Sequence, residues 1–114
     1  MDEPKYIHLG DCYWAIVDDD YYSTLMRFRW RWHKRKRSVY AYTLIDTSPR
    51  TFRLFMHRLV SHCPANMIVH HKNGNSLDNR RCNLQPMVRS DHKMLHANNP
   101  IKYIYEKTTR KKTL

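Results

Sequence analysis

Short segments in which apolar and polar residues alternate recur along the first half of the chain. The alternation predicts half-buried β-strands at 6–9, 13–17, about 28–32, 38–45 and 51–56. Three consecutive aspartates at 18–20 precede an apolar stripe that ends near Phe28, and this pattern predicts one short helix. A second short helix is expected at 56–62. We therefore expect a small antiparallel sheet over roughly 28–56, preceded by two strands and a helix.

The sequence pattern of the second half of the chain predicts two short strands, a turn and a helix. One strand begins near 67 and leads to His70 and His71, and the Asn-Gly pair within 72–75 favours a tight turn with positive φ. The segment 84–88 is expected to form the second strand. Ser90 then provides an N-cap for a helix over 91–98.

A chain of 114 residues suits one compact domain with a modest core. We expect a single domain over 1–99, composed of a sheet-and-helix leader at 1–66 and a strand–turn–helix motif at 67–99. A basic C-terminal tail is expected at 100–114. The predicted fold class is α+β.

The net charge of the chain indicates which class of partner it binds. The sequence has 21 Lys plus Arg against 10 Asp plus Glu, a formal net charge of +11. Such a field attracts polyanions, most often nucleic acid, although a basic protein that merely stays soluble is the alternative. No apolar run approaches the ~20 residues of a membrane span, and no hydrophobic stretch follows the N-terminus as a secretory signal would. We expect a cytoplasmic protein without a membrane partner.

The cysteines and histidines indicate what could hold a metal. The three cysteines contain no Cys-x-x-Cys pair, which argues against a disulfide scaffold and against a cysteine zinc knuckle. His92 and His96 are four residues apart, so on a helix both imidazoles could reach one ion. The adjacent His70 and His71 would face opposite sides of a strand. Together they predict a small metal-dependent catalytic site.

The segment 70–92 resembles the HNH endonucleases of the phage and intron type, which have a ββα-metal fold. The matching motifs are His70-His71, the turn Lys72–Asn75, Leu77-Asp78-Asn79-Arg80-Arg81, Asn83-Leu84 and His92. Upstream, Ala15–Asp19, the Trp-containing strand, Tyr40-Ala41 and Met56-His57-Arg58-Leu59 are similar to the leader of the same proteins. The resemblance therefore extends to about Asn99.

The resemblance implies a role for each residue of the motif. His71 would be the general base, and Asn83 would orient or polarise it. His70 and His92 would bind one divalent metal, with His96 as a third ligand or, alternatively, a helix-surface histidine that touches phosphate. Many relatives have Asp at position 70, which suits Mg²⁺, whereas His moves the preference towards Zn²⁺, Ni²⁺, Mn²⁺ or Co²⁺.

A basic block is the predicted DNA contact. Arg27, Arg29 and Arg31 are expected on one strand face, with Arg35 and Arg37 beside them, laid against a groove of double-stranded DNA. The alternative is a solvated sheet face. Arg80 and Arg81 are expected near the scissile phosphate, unless one of them anchors the loop.

The leading hypothesis is a metal-dependent DNA endonuclease that hydrolyses phosphodiester bonds, either nicking or cutting both strands. The resemblance implies 5′-phosphate and 3′-hydroxyl ends. The alternative is a non-catalytic DNA-binding protein with a structural histidine metal cage, which would have no use for His71 or Asn83. An RNase or nuclease toxin is a third option. We expect a monomer or homodimer in the host cell of a phage or mobile element, such as a homing intron, with a phage or host partner protein left open.

Overall fold

The structure, a computed structural model, describes residues 3–89, which form three small antiparallel sheets and two short helices. In chain order the elements are β1 Lys5–Gly10, β2 Tyr13–Val17, α1 Asp19–Leu25, β3 Arg31–Arg35, β4 Ser38–Asp46, β5 Thr51–Phe55, α2 Met56–Ser61, β6 Ile68–His71, a 3₁₀ turn Arg81–Asn83 and β7 Leu84–Met87. The predicted α+β class, with small antiparallel sheets, is confirmed. The helix predicted at 91–98 lies outside the described residues.

The hairpin of β1 and β2 supplies one wall of the core. Its turn contains Gly10 and Asp11, both with positive φ. Alternate residues of the two strands point inward, as the sequence pattern predicted, because successive side chains of a strand face opposite sides. The buried residues are Ile7, Leu9, Ala15 and Val17.

Helix α1 begins after Asp18, with Asp19 and Asp20 in its first turn, where carboxylates interact favourably with the exposed amides. The Asp18 side chain makes no capping hydrogen bond to this helix. It accepts a hydrogen bond from the backbone N–H of Arg81 instead, at 2.8 Å. The start of α1 is thereby tied to the second half of the chain.

Strand β3 begins at Arg31, later than the alternation predicted. The Trp30 indole donates a hydrogen bond to the carbonyl of Leu25 at 2.7 Å, and Trp30 is only 6% exposed. Trp30 is therefore held by the end of α1 and not by strand pairing. Arg27 and Arg29 are exposed but lie outside the sheet, so the prediction that they share a strand face with Arg31 is wrong.

The central sheet has the strand order β3-β4-β5, with every pair antiparallel. A turn at Lys36 and Arg37 joins β3 to β4, so the charged residues 33–35 belong to β3. Strand β5 ends at Phe55. Met56 was expected as its last residue but begins α2 and is fully buried.

One hydrophobic core joins the first hairpin, α1, the central sheet, α2 and β7. Its largest fully buried apolar side chains are Val17, Leu25 and Met56. Leu84 of β7 belongs to the same cluster. The hairpin of β6 and β7 therefore packs onto the leader and shares its core.

No helix among residues 3–89 has the length and apolar character needed to cross a membrane.

Candidate active site

Strands β6 and β7 pair antiparallel and present the histidine pair beside a structured loop. His70 is paired with Gln85 and His71 with Leu84, so the two imidazoles face opposite sides of the hairpin. The loop is closed by backbone hydrogen bonds from Lys72 N–H to the Asn83 carbonyl and from Gly74 N–H to the His71 carbonyl, both 2.9 Å. The expected tight turn is present.

His71 faces the buried side and has one side-chain hydrogen-bond partner among the described residues, Asn79. Its Nε2 lies 3.0 Å from Oδ1 of Asn79, and the two residues are 9% and 0% exposed. An amide oxygen can only accept, so Nε2 carries the hydrogen and Nδ1 keeps its lone pair. The contact selects the tautomer in which Nδ1 can take a proton.

The environment of His71 favours its neutral form. Burial lowers the pKa of His71 below its ordinary value, and the nearby His70 adds to this effect. The hydrogen bond to Asn79 and the charge of Asp78 act in the opposite direction and are outweighed. A neutral imidazole is the protonation state that a general base requires.

Asn83 contacts a different partner from the one expected. Its Oδ1 accepts from the backbone N–H of Asn73 at 2.9 Å, and its Nδ2 donates to the carbonyl of Asp78 at 2.8 Å. Asn83 therefore holds the two ends of the loop together, while Asn79 makes the contact to His71. Asn83 was expected to orient or polarise His71; its side chain faces the loop backbone, so the direct contact to His71 is made by Asn79. A catalytic role for Asn83 stays a prediction.

A second histidine, His57 of α2, lies against His71. The two ring centroids are 5.4 Å apart, and the Tyr40 ring is 5.4 Å from His57 and 6.3 Å from His71. Burial, with smaller effects from His71 and Arg58, lowers the pKa of His57 to about 3. His57 is therefore neutral near pH 7, and it adds no positive charge beside the candidate base.

His57 was not among the predicted site residues. The only sequence signal was its occurrence in Met-His-Arg-Leu, because α2 and β6 are separate elements that the core brings together. Tyr40 gave no signal of its own, since an aromatic residue on an alternating strand is equally consistent with packing.

Polar contacts within the loop hold its shape. Asp78 is 1% exposed and accepts two hydrogen bonds from the Arg80 guanidinium and one from the Asn73 amide. Burial opposes ionisation, but the hydrogen bonds from Arg80 and Asn73 leave the pKa of Asp78 below its ordinary value. Asp78 is therefore a carboxylate near pH 7, and it anchors the loop.

The leader holds the loop from the other side. Ile16 of β2 forms a parallel bridge with Asp78, with Ile16 N–H donating to the Leu77 carbonyl at 2.8 Å and Asn79 N–H donating to the Ile16 carbonyl at 2.7 Å. Ser76 donates to the carbonyl of Val39 in β4. The first hairpin and the central sheet thus position the segment that contacts His71.

The two arginines expected near the scissile phosphate both have carboxylate partners. Arg80 binds Asp78, and Arg81 pairs with Asp20 at 2.6 Å and with Asp18 at 3.7 Å. These ion pairs link the loop to itself and to α1. One of the two arginines was expected to anchor the loop, and both do so. Contact of either arginine with DNA stays a prediction.

The other arginines predicted to contact DNA are exposed. Arg31 and Arg35 lie on β3, and Arg37 lies in the turn before β4. Arg31 and Arg35 share a sheet face because they are an even number of residues apart on one strand. DNA binding by any of these residues stays a prediction.

Only one of the three predicted metal ligands lies within the described residues. His70 is half-buried on β6, whereas His92 and His96 lie outside residues 3–89. Within residues 3–89 no three His, Cys, Asp or Glu side chains are grouped so that they could hold a metal ion. The ligand set therefore stays a prediction.

A comparison with known families covers this part of the chain. The family model described as HNH endonuclease matches residues 56–94. Recognition of the HNH family is confirmed. The matched segment, called the HNH segment below, contains α2, β6, the loop and β7, and it ends at residue 94, so position 92 lies within it. No curated protein and no solved structure matches the chain significantly.

The family assignment gives the general class of chemistry. The HNH segment indicates a nuclease acting on DNA, and endonucleases of this family generally use a divalent metal. Among its residues, His57 and His71 are brought together by α2 and β6. Asn79 and Asn83 come from the loop and the 3₁₀ turn that connect β6 to β7.

Proposed function

We propose that this protein is a metal-dependent DNA endonuclease that hydrolyses phosphodiester bonds, with His71 as its general base. The observation that supports the proposal most directly is the buried hydrogen bond between His71 Nε2 and Asn79 Oδ1. It leaves Nδ1 as the basic nitrogen of a neutral imidazole. The match to the HNH family over 56–94 gives this arrangement its chemical context.

The chain's own residues would act on the attacking water. Nδ1 of His71 takes one proton from the water as its oxygen attacks phosphorus, and the 3′ oxygen departs from the phosphate. Asn79 keeps Nε2 protonated and stabilises the imidazolium that forms, because its carbonyl dipole faces the N–H. Asn83 keeps the loop closed, so that Asn79 stays at hydrogen-bond distance.

Three histidines would hold the divalent metal: His70, His92 and His96. His70 suits such a role by its chemistry, since it supplies an imidazole donor on β6 directly before His71. An imidazole donor set suits Zn²⁺, Ni²⁺, Mn²⁺ or Co²⁺ better than Mg²⁺. When bound, the ion would neutralise charge on the scissile phosphate and on the departing 3′ oxygen.

Double-stranded DNA is the proposed substrate. The net charge of +11 and the exposed Arg31, Arg35 and Arg37 favour phosphate contacts. A purely structural metal cage, the competing hypothesis, would not require a neutral His71 with a selected tautomer. The His71–Asn79 pair therefore favours catalysis.

The test is incubation of supercoiled plasmid with purified protein and a panel of divalent ions. We expect nicked or linear product with at least one ion, and a loss of rate of about a hundredfold or more in His71→Ala, since general bases contribute 10²–10⁴-fold. DNA binding, measured by fluorescence anisotropy, should survive the substitution. His8→Ala, at an exposed histidine of the first hairpin, is the matched control and should cleave at the wild-type rate.

Two outcomes would contradict the proposal. One is a His71→Ala protein that cuts at the wild-type rate. The other is an intact protein that binds DNA and metal but cuts with none of the ions, which would favour the structural cage.

A further inference from the structure

One face of the central sheet combines aromatic rings with arginines. The register pairs Arg31 and Phe55 with Tyr42, and it pairs His33 with Tyr40, so these side chains share a face. Arg53 is on the same face because it is two residues from Phe55. We call these six residues, Arg31, His33, Tyr40, Tyr42, Arg53 and Phe55, the aromatic face.

The rings of the aromatic face are half-buried, and its arginines are exposed. The Arg53 guanidinium lies over the Tyr42 ring, 5.0 Å from the centroid. His33 meets the edge of Tyr42 at 6.2 Å, and Phe55 is tilted against it at 6.0 Å. The rings therefore form one connected surface that remains partly open to solvent.

This surface leads directly to the candidate base. Tyr40 contacts Phe55 at 6.3 Å on one side and His57 and His71 on the other, at 5.4 Å and 6.3 Å between centroids. A polynucleotide strand lying on the aromatic face would therefore continue towards His71. The aromatic face and the candidate active site are therefore continuous through Tyr40.

The charge of the face suits a polyanion. Its ionised side chains are those of Arg31 and Arg53, and Arg35 lies on the same side of β3. The carboxylate on this side of the central strand, that of Asp46, lies at the end of β4, beyond the rings. Cations of this kind follow a phosphate backbone, whereas flat rings offer surfaces on which bases stack. In duplex DNA the bases present only their edges in the grooves, so their faces are not available to these rings.

We infer that the aromatic face binds unpaired nucleotides by stacking, and that the enzyme's substrate class is DNA with a single-stranded segment next to the scissile phosphate. The inference deepens the proposed function and rests on it for the cleavage step. Duplex contacts would come from the exposed arginines beside the face, and the unpaired segment would lie across Tyr42 and Tyr40. A gap, flap or branch would supply such a segment.

The binding test uses the full chain without divalent ions, so that no cleavage occurs. Fluorescence anisotropy measures affinity for a labelled oligo-dT strand and for a labelled duplex of the same length. We expect Tyr42→Leu to weaken single-strand binding about tenfold, because base–aromatic stacking contributes about 1–3 kcal/mol per base. The same change should alter duplex binding far less.

Two further variants act as controls. Tyr42→Phe keeps the ring and should bind the single strand like the wild type. Tyr6→Leu removes an exposed tyrosine, 56% accessible, from the first hairpin and should have no effect. Thermal melting confirms that each variant is folded. If Tyr42→Leu lacks a melting transition, Phe55→Leu is judged by the same two affinities.

Equal losses for single strand and duplex, or no loss for either, would overturn the inference. A cleavage series then separates it from the proposed function. A flap substrate cut faster than plain duplex supports the inference, and equal rates oppose it. Ring-dependent binding of the single strand without cleavage by any ion would instead refute the proposed endonuclease activity.

Discussion

Polar side chains are buried in the loop between β6 and β7, whereas charged side chains are exposed on the central sheet. In the loop, the polar residues Asp78, Asn79 and Asn83 are between 0% and 5% exposed, and the side chain of each makes a hydrogen bond, although Nδ2 of Asn79 has no partner among the described residues. In the sheet, the charged residues Arg31 and Arg53 are exposed and the rings between them are half-buried.

The difference follows from what each region would do. A base must be held in one tautomer and one orientation, and buried hydrogen bonds specify both because an unmade bond is costly there. A surface for a flexible polyanion needs charges that remain hydrated until the ligand arrives. The conformation of the loop would therefore be fixed by contacts within the protein, whereas that of the side chains on the sheet would be fixed when the ligand binds.

Of the substitutions that test this comparison, Asn79→Leu should have the largest effect, a loss of cleavage rate. It removes the acceptor for His71 Nε2, and misplacing a catalytic group costs on the order of a hundredfold in rate. Plasmid-nicking kinetics would measure the loss. Asn75→Ala changes an exposed residue of the same loop, whose side chain accepts a hydrogen bond from the backbone N–H of Leu77, and should stay near the wild-type rate. Wild-type cleavage by Asn79→Leu would show that the buried contact is not needed.

The buried histidine His57 should make the fold sensitive to acid. Its folded pKa, about 3, is below the ordinary 6.5, so between these values the unfolded chain binds the proton more readily. Stability contributed by neutral His57 is therefore complete above about 6.5 and is lost as the pH falls towards 3, by at most about 1.4 kcal/mol per pH unit. Urea unfolding at several pH values would measure this loss.

The matched variant for that experiment is His57→Phe, which keeps a ring against Tyr40. Its free energy of unfolding should depend less steeply on pH than that of the wild type, with a remaining slope from His71, whose pKa is lowered in the same direction. Identical slopes for the two proteins would contradict the assignment of a buried neutral His57.

On the sheet, the double change Arg31→Gln and Arg35→Gln should weaken duplex binding about tenfold at low salt. The plot of log affinity against log salt should also become less steep by about two units. Lys5→Gln provides the control, since Lys5 lies on the first hairpin and is paired with Asp19. An unchanged salt slope would place the DNA elsewhere on the protein.

The smallest expected effect concerns the link between the two regions. Ser76→Ala removes the hydrogen bond from the loop to the Val39 carbonyl of the sheet, and such a bond contributes about 1 kcal/mol. Chemical denaturation should detect this loss of stability. A much larger fall in cleavage than in stability would mean that the sheet positions the loop more directly than one hydrogen bond implies.

Much of the local structure could be predicted from the sequence. The alternation in β1 and β2, the turn after His71 and the shortness of α2 depend on neighbouring residues, and these expectations agree with the structure. The start of β3 could not be predicted in this way, because Trp30 is held by a hydrogen bond to Leu25 at the end of α1. The alternation of Phe28, Trp30 and Trp32 gave no indication of that contact.

The amino-acid sequence alone determined the α+β class, the HNH motif and the identity of the histidine pair, because spacing and residue type carry that information. Only the tertiary structure decided which amide faces His71. Asn79 and Asn83 both follow the pair in the same loop, and the docking of β2 against 77–79 turns Asn79 inward while Asn83 closes the loop. The juxtaposition of His57, Tyr40 and His71 was likewise decided by packing between distant segments, a contact that no local pattern encodes.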